Sequence, residues 1–375
     1  MRTSGARPRP KDGLVEALAH HSRRPGPARV SVACGVDRNH VAEVARGIED
    51  LALAELTDLG LKDVEAASGE LRFGPERART VVERSRLVAA VYRALDFDVP
   101  RPKALLGDAA FRRLTAACQE VAAAAGMSSF RLAAAGAQTP VFRRLAEGLA
   151  RSTGLREDAQ DGELLMRVRR SANGGWEVLL RLTPRPLSAR DWRVCNMPGG
   201  ANANVAAAIA RLAGGRSFLN LMCGSGTLLI ERALQAHGGP NVGVDAAADA
   251  IDCARRNVEA AGVDEAYLVV DDVTRPGFSV AMPGGDGAGA FDVVAADAPW
   301  GDAVGKHVDN EALYRGLLGA ATRHLRQDGV FVLLTHEVRL TERLLSEAEG
   351  WRRLEGRRVE HGGHNPLLLT LKRVG

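Results

Sequence analysis

Four short apolar runs in the second half of this 375-residue chain each stop at residues able to do chemistry. Phe218–Leu221 leads into Met222-Cys223-Gly224-Ser225-Gly226-Thr227, and Asn241–Val244 stops at Asp245. Ala266–Val270 stops at Asp271-Asp272, followed by Val273, and Phe291–Ala296 stops at Asp297-Ala298-Pro299-Trp300-Gly301. A Gly-x-Gly between an apolar run and a helical one lets a strand turn beneath a ligand, because glycine tolerates positive φ and adds no side chain. The N–H groups of the helix begun there favour an anion. A carboxylate about twenty residues further on is where a doubly wound nucleotide site puts its acceptor for ribose hydroxyls. In such sheets the ligand crevice lies outside the carboxyl ends of the strands, where all four runs end.

The type of ligand follows by elimination. A dinucleotide fingerprint needs a third glycine where Leu229 stands, and a phosphate-cradling loop needs Lys-Ser/Thr after the glycine, where Thr227 stands alone. S-adenosylmethionine fits better. Its carboxylate meets the helix start at Gly224, Ser225, Gly226 and Thr227, its ribose meets Asp245, and its adenine amine meets Asp272. Asn220, Met222, Cys223, Val273 and Asp297 complete the expected contact set.

Residues 196–373 resemble the class I S-adenosylmethionine-dependent methyltransferases. Within these, Met222–Thr227 followed by Glu231, together with Asp297-Ala298-Pro299-Trp300-Gly301, resembles the RNA guanine-N2 methyltransferases that carry an N-terminal THUMP domain. Those enzymes usually have Asp at the position of Asn220, and commonly Leu or Pro at that of Ala298. The resemblance implies methyl transfer to the exocyclic N2 of a guanosine, in tRNA or alternatively rRNA. It also implies that the loop 196–204 packs over the methionine end of the cofactor, with Asn202 and Asn204 as contacts. Both asparagines equally suit a helix cap. An exocyclic guanine amine is a poor nucleophile. Asp297 offers it a carboxylate acceptor, Ala298 before Pro299 a carbonyl turned outward, and Trp300 a flat face for the base. The methyl moves by direct displacement, so no covalent nucleophile is needed. The remaining alternatives are an N-methyltransferase of DNA, protein or a small molecule, and an RNA-binding protein with a degenerate cofactor pocket.

The elements that must position these residues read as two regions. Residues 185–200 hold prolines and form a linker, and 201–375 alternate strand and helix as a methyltransferase Rossmann-like sheet, with a final antiparallel pair at about 352–360 and 367–372. Residues 28–184 read as an α+β region resembling a THUMP domain. Its predicted elements are a strand at 28–36, helix 41–59, a strand-turn-strand over 66–73, helix 75–95, helix 108–125, strand 129–135, helix 140–153, and strands 163–170 and 176–183. The halves have separate hydrophobic patterns, which predicts separable folding. Residues 1–27 hold Arg, Pro and Gly without an apolar segment and read as a disordered basic tail, not a signal peptide.

Charge is unevenly spread. Residues 1–195 carry 32 Lys/Arg against 24 Asp/Glu, and the remainder carries 18 against 22. A basic front half implies a polyanionic partner, here RNA. Arg131, Arg143, Arg144 and Arg151 are its candidate contacts. No apolar run is long enough to span a membrane. Cys34, Cys118, Cys195, Cys223 and Cys253 form no C-x-x-C and accompany no His cluster. They predict reduced thiols of a cytoplasmic protein, without a metal or disulfide framework. A monomer is expected. His307 and His336 read as ordinary loop residues near strand ends.

Overall fold

The computed structural model describes residues 38–235, 238–280, 287–298 and 307–374, with only the backbone of 307–309. The strand expected at 28–36 and the tail 1–27 lie outside the described residues, as do Pro299, Trp300 and Gly301.

Two sheets organise the chain. The first has eight strands in the order β2-β3-β1-β4-β8-β7-β5-β6. These are β1 (His40–Val44), β2 (Glu65–Ala67), β3 (Glu70–Phe73), β4 (Val88–Phe97), β5 (Ser129–Ala134), β6 (Arg156–Glu157), β7 (Leu164–Arg170) and β8 (Trp176–Arg181). Helices α1 (Glu49–Asp58), α2 (Ala78–Arg84), α3 (Asp108–Ala125) and α4 (Pro140–Thr153) connect them.

Two expected helices turn out to be partly strand. Residues 41–44, expected to open a helix, belong to β1, and the helix begins only at Glu49. Gly47, at φ +94°, separates the two. Of the helix expected over 75–95, only Ala78–Arg84 is an α-helix, after a 3₁₀ turn at Pro75–Arg77. Val88, Val91 and Leu95 belong to the central strand β4, with Leu87 just before it. That strand is covered on both faces. Val88 and Val91 join one apolar cluster and Leu95 another, while Ala90, Tyr92 and Ala94 form a third on the opposite side. A strand buried on both faces lacks alternation, so its apolar run is indistinguishable from a buried helix.

The second sheet has seven strands in the order β11-β10-β9-β12-β13-β15-β14. Its parallel part comprises β9 (Phe218–Leu221), β10 (Asn241–Asp245), β11 (Ala266–Val270), β12 (Phe291–Asp297) and β13 (Leu325–Thr335). The last two strands, β14 (Trp351–Arg358) and β15 (Leu367–Arg373), pair antiparallel, and β15 is antiparallel to β13. Helices α5 (Ala203–Ala213), α6 (Thr227–Gln235), α7 (Ala248–Ala260), α8 (His307–His324) and α9 (Val338–Glu347) lie between strands. This is the strand order of a class I methyltransferase, as the resemblance implies.

The hydrophobic patterns of the halves are not separate. One apolar cluster runs from Val44, Ile48, Leu56 and Val88 in the front half to Val205, Ile209, Leu228 and Val332 in the second. Polar contacts follow the same seam. Asn204 Nδ2 donates to the Arg86 and Val88 carbonyls at 2.7 and 3.0 Å. Glu231, fully buried on α6, accepts from Arg86 Nε at 2.6 Å and Arg190 Nε at 2.8 Å. Arg190 also donates to the Arg86 carbonyl at 2.6 Å. At Gly47 a Cβ would fall 1.9 Å from the Arg358 carbonyl oxygen, so backbone meets backbone there and no larger residue fits.

Candidate active site

The parallel strands β9, β10 and β12 deliver their carboxyl ends to one edge, and the turn after β9 forms the floor of a concavity there. Met222, a non-glycine residue, sits at φ 55°, with Gly224 at 53° and Gly226 at 81°. Three left-handed residues within five positions fold the chain back sharply, and Gly226 N closes the turn on the Cys223 carbonyl at 2.9 Å. Gly226 is needed twice over, because a Cβ there would also meet the Ala254 Cβ at 3.1 Å. Helix α6 then begins at Thr227. The concavity is lined by Met197, Gly200, Asn220, Met222, Cys223, Gly224, Ser225, Thr227 and Asp297 among others. The turn and the fourth-strand carboxylate therefore share one space.

Asp297 is the electrostatic centre of that space. It ends β12, and the surrounding protein strips water from its carboxyl even though part of the side chain faces the concavity. That desolvation pushes it up to about 7, with no basic group among the described residues offsetting the shift. The next residue, Ala298, is buried and donates its N–H to the Leu334 carbonyl at 3.0 Å.

Asn220 is buried beside it. Its Nδ2 donates to the Leu221 and Ala295 carbonyls at 3.1 and 3.3 Å, which fixes the amide's orientation. Its Oδ1 has no hydrogen-bond partner among the described residues. A buried acceptor left open in this way costs stability unless a ligand donates to it. An ammonium or amine of a bound molecule meets that need. Cys223 is also buried, and burial pushes its thiol well above the usual range, as suits an inert spacer.

Asp245, at the end of β10, supports the turn directly. Its Oδ2 accepts from Gly224 N at 2.8 Å and its Oδ1 from Ala247 N at 3.0 Å. A carboxylate has about four lone-pair positions, so it retains capacity for ribose hydroxyls. Asp272 stands past β11 with one oxygen accepting from Thr274 N and Oγ1 at 2.8 and 2.7 Å, while Val273 is buried. Its neighbour Asp271 is held by Arg275, whose guanidinium keeps that carboxyl below its ordinary value.

Asn202 and Asn204 do not line the concavity. Asn202 caps α5, its side chain accepting from Asn204 N at 2.9 Å and Val205 N at 3.4 Å. Asn204 turns its amide to the front half, as described above. The loop that these residues follow is held over the turn by groups not expected from sequence. Arg193 Nη2 donates to the Ala201 carbonyl at 2.7 Å and Thr227 Oγ1 at 2.6 Å. Asn257 on α7 is wholly buried; it accepts from Cys195 N at 2.9 Å and donates to the Cys195 and Ser225 carbonyls, both at 2.9 Å. Its place on the apolar face of α7, in phase with Ile251 and Ala254, was the one available signal.

The cysteine reading needs correcting. Cys195 and Cys253 are joined in a disulfide, which ties the same loop to α7. They are 58 residues apart and carry no spacing motif, so only the fold brings them together. Of the described cysteines, Cys118 and Cys223 are free and buried. No group of three or more His, Cys, Asp or Glu among the described residues is placed to hold a metal ion.

The front-half arginines are divided. Arg143, Arg144 and Arg151 are exposed on α4 and pair with no acid among the described residues, whereas Arg131 reaches the Gln160 carbonyl at 3.4 Å. The loop after β5 is Gly136-Ala137-Gln138-Thr139, without charge.

Known proteins resemble the chain as follows. Residues 190–366 match the family UPF0020, the RMKL-like methyltransferase domain. A tRNA (guanine(6)-N2)-methyltransferase of Archaeoglobus fulgidus is 28% identical over 202 residues, or 46% of this chain and 49% of that protein. The chain thus spans about half the length of that curated relative. The crystal structure of TrmN from Thermus thermophilus is 26% identical with a TM-score of 0.71, over 89% of this chain and 99% of that one. SMU.472, solved complexed with SAH, shares the fold at 17% identity and a TM-score of 0.62, over 88% and 97% of the two chains.

Proposed function

We propose that this chain, whose residues 190–366 match the RMKL-like methyltransferase domain, methylates the exocyclic N2 of a guanosine in RNA, tRNA foremost, with S-adenosylmethionine as donor. The observation that carries the reading is the placement of Asp297 in the same concavity as the Met222–Thr227 turn. The relatives named above, one a tRNA guanine-N2 methyltransferase, support the substrate class.

The residues present fit the cofactor. The open Oδ1 of Asn220 accepts from its amino group, the helix start at Thr227 faces its carboxylate, and Asp245 accepts from its ribose. When bound, S-adenosylmethionine supplies a methyl group on a positively charged sulfonium. Asp297 then takes the hydrogen bond of the guanine amine, and in its ionised form balances the positive charge that grows on nitrogen. Displacement of this kind gains most from alignment, which the rigid turn and the anchored 195–201 loop provide. Pro299 and Trp300 enter this reading from sequence alone. The front half, read as a THUMP-like region over 28–184, holds the RNA through exposed arginines such as Arg143, Arg144 and Arg151. The same reading makes the chain a cytoplasmic monomer, and no described helix is long and apolar enough to cross a membrane.

The test is direct. Purified full-length protein is incubated with methyl-labelled S-adenosylmethionine and total RNA, and the RNA is digested to nucleosides. Label is expected in N2-methylguanosine from the tRNA fraction. Label in another nucleoside, or in none, refutes the assignment.

Asp245→Ala tests the cofactor half of the reading. It removes the ribose acceptor and also frees the Gly224 N–H. Losing a charged, half-buried acceptor costs about 1–3 kcal/mol, so the dissociation constant for S-adenosylmethionine should rise roughly 5- to 150-fold. Isothermal titration calorimetry reads this, and unchanged affinity would mean that β10 does not hold the ribose.

A further inference from the structure

The outer edge of the second sheet carries features that methyl transfer does not use. Strand β11 (Ala266–Val270) is last in the strand order, with β10 on one side and no described strand on the other. It runs parallel to β10, with Asn241 opposite Ala266 and Asp245 opposite Val270, and Asp271 N donates to the Asp245 carbonyl at 3.0 Å. Backbone direction alternates along a strand. Tyr267, Val269 and Asp271 therefore turn their N–H groups to β10, and the N–H and C=O groups of Ala266, Leu268 and Val270 point outward. Among the described residues, none of these outward groups has a backbone partner.

Open backbone by itself is ordinary at a sheet edge. Two further observations say what this edge fits. First, Tyr267 is 53% and Val270 52% exposed, and strand alternation puts them on opposite faces of the sheet. A strand added here finds an apolar neighbour on each face. Second, acids bracket the strand. Asp264 and Glu265, both exposed, precede it, and Asp271 and Asp272 follow it. Asp271 is paired with Arg275 at 2.6 Å, whereas Asp272 directs one oxygen to Thr274 and leaves the other open. The acids decide between occupants. A second copy pairing antiparallel through a twofold axis at Leu268 would set Glu265 opposite Asp271 and Asp264 opposite Asp272, like charges at both ends. A different strand with basic residues at both ends meets opposite charges in either direction.

We propose that the β11 edge is a docking surface for an extended segment of a second, different protein. The segment is β-branched in its middle, carries Lys or Arg at both ends, and joins the seven-stranded sheet as one further strand. Strands β10 and β9 separate β11 from β12, so the edge lies roughly 14 Å from the strand that bears Asp297. The proposal does not depend on the RNA reading.

The probe is a synthetic, dye-labelled peptide with valine, isoleucine and threonine between two Lys-Arg pairs. Its control has Glu in place of every Lys and Arg. The full chain is titrated with each by fluorescence anisotropy. The basic peptide should bind with a dissociation constant below about 1 mM, and the acidic one should not bind in that range. Val270→Pro removes an outward N–H without touching the bonds to β10, and should weaken binding on the order of tenfold. Asp264→Lys/Glu265→Lys should weaken it roughly five- to tenfold. Both variants should melt near the wild-type temperature. Hydrogen exchange followed by NMR separates strand addition from loose attraction of charge: the Ala266, Leu268 and Val270 amides should exchange more slowly with peptide bound. Failure of the basic peptide to bind overturns the proposal, since the acids would then serve only to keep the edge unpaired. Binding that leaves those amides unprotected, or that Val270→Pro does not weaken, overturns it as well. So does self-association of the wild-type chain that Val270→Pro abolishes, which would assign the edge to a second copy.

Discussion

Asp297→Asn is expected to lower the rate of methyl transfer on the order of 10²–10³-fold while changing S-adenosylmethionine affinity much less. The substitution keeps the size of the side chain and one acceptor oxygen but removes the charge. The guanine amine becomes positive only as the new N–C bond forms, so the missing charge is felt far more in the transition state than in cofactor binding. Preorganised electrostatic partners in water-poor sites are worth about 3–4 kcal/mol, which gives the stated range. The pH dependence supplies a second signature. Burial pushes the Asp297 carboxyl up to about 7, so below that pH the free protein holds it largely protonated and unable to balance a cation. A bound sulfonium favours the ionised form and draws the midpoint down. The rate should therefore rise with pH along a limb whose midpoint lies at or below about 7, and Asp297→Asn should erase that limb. Single-turnover rates from pH 5.5 to 9, for both proteins, read this outcome. A fully active Asp297→Asn protein, or one that keeps the acid limb, would leave the guanine-amine mechanism without its carboxylate.

Glu231→Ala is expected to destabilise the whole chain by about 3–5 kcal/mol, the usual result of breaking a buried ion pair from one side. Glu231 is fully buried, and Arg190 has only 8% of its side chain exposed. Removing the carboxylate leaves the buried Arg190 and the partly exposed Arg86 guanidinium groups facing each other, with Glu55 as the remaining nearby carboxylate. The backbone contacts of Arg190, to the Leu187 and Arg86 carbonyls at 2.7 and 2.6 Å, hold it in place, so it cannot easily swing into solvent. Against a total stability of about 5–15 kcal/mol this is a large fraction. Denaturant unfolding at neutral pH measures it, and Glu231→Gln, which keeps the shape, should fall between the two. A loss under about 1 kcal/mol would show that the seam tolerates unpaired arginines. The same seam carries a consequence for truncation. The apolar cluster of Ile48, Leu56 and Val88 with Val205, Ile209 and Leu228 is one core. A fragment lacking residues 1–184 would expose its half of that surface and is expected to melt at a lower temperature than the whole chain.

The legible part of this protein was the part set by local rules. A Gly-x-Gly turn at the end of an apolar run, with carboxylates at Asp245 and Asp297 ending later runs, follows from how parallel strands meet helices, and the sheet order follows with it. Long-range agreement between segments was illegible. Most of strand β4 reads as helix from sequence because both its faces are covered, by elements distant in sequence. Asn204 has the residue type and position of a cap or a ligand contact, and only the packed front half shows why its amide faces the Arg86 and Val88 carbonyls. Arg193 and Asn257 act on a loop that neighbours them only in space. His336, at the end of one strand, meets His364 in a later hairpin, their rings edge to face, and no spacing rule links the two.

The Cys195–Cys253 bridge closes a covalent ring, and the ring has contents: α5, β9, the Met222–Thr227 turn, α6 and β10 all lie on the segment it encloses. A cross-link over 58 residues removes chain entropy from the unfolded ensemble worth about 4 kcal/mol on the loop-closure model. The cofactor-binding segment is therefore the part of the molecule whose unfolded form is most restricted. Reductive opening of the ring would withdraw that restriction without breaking a single contact to the cofactor, so the stability of this segment is set partly by the thiol poise of its surroundings.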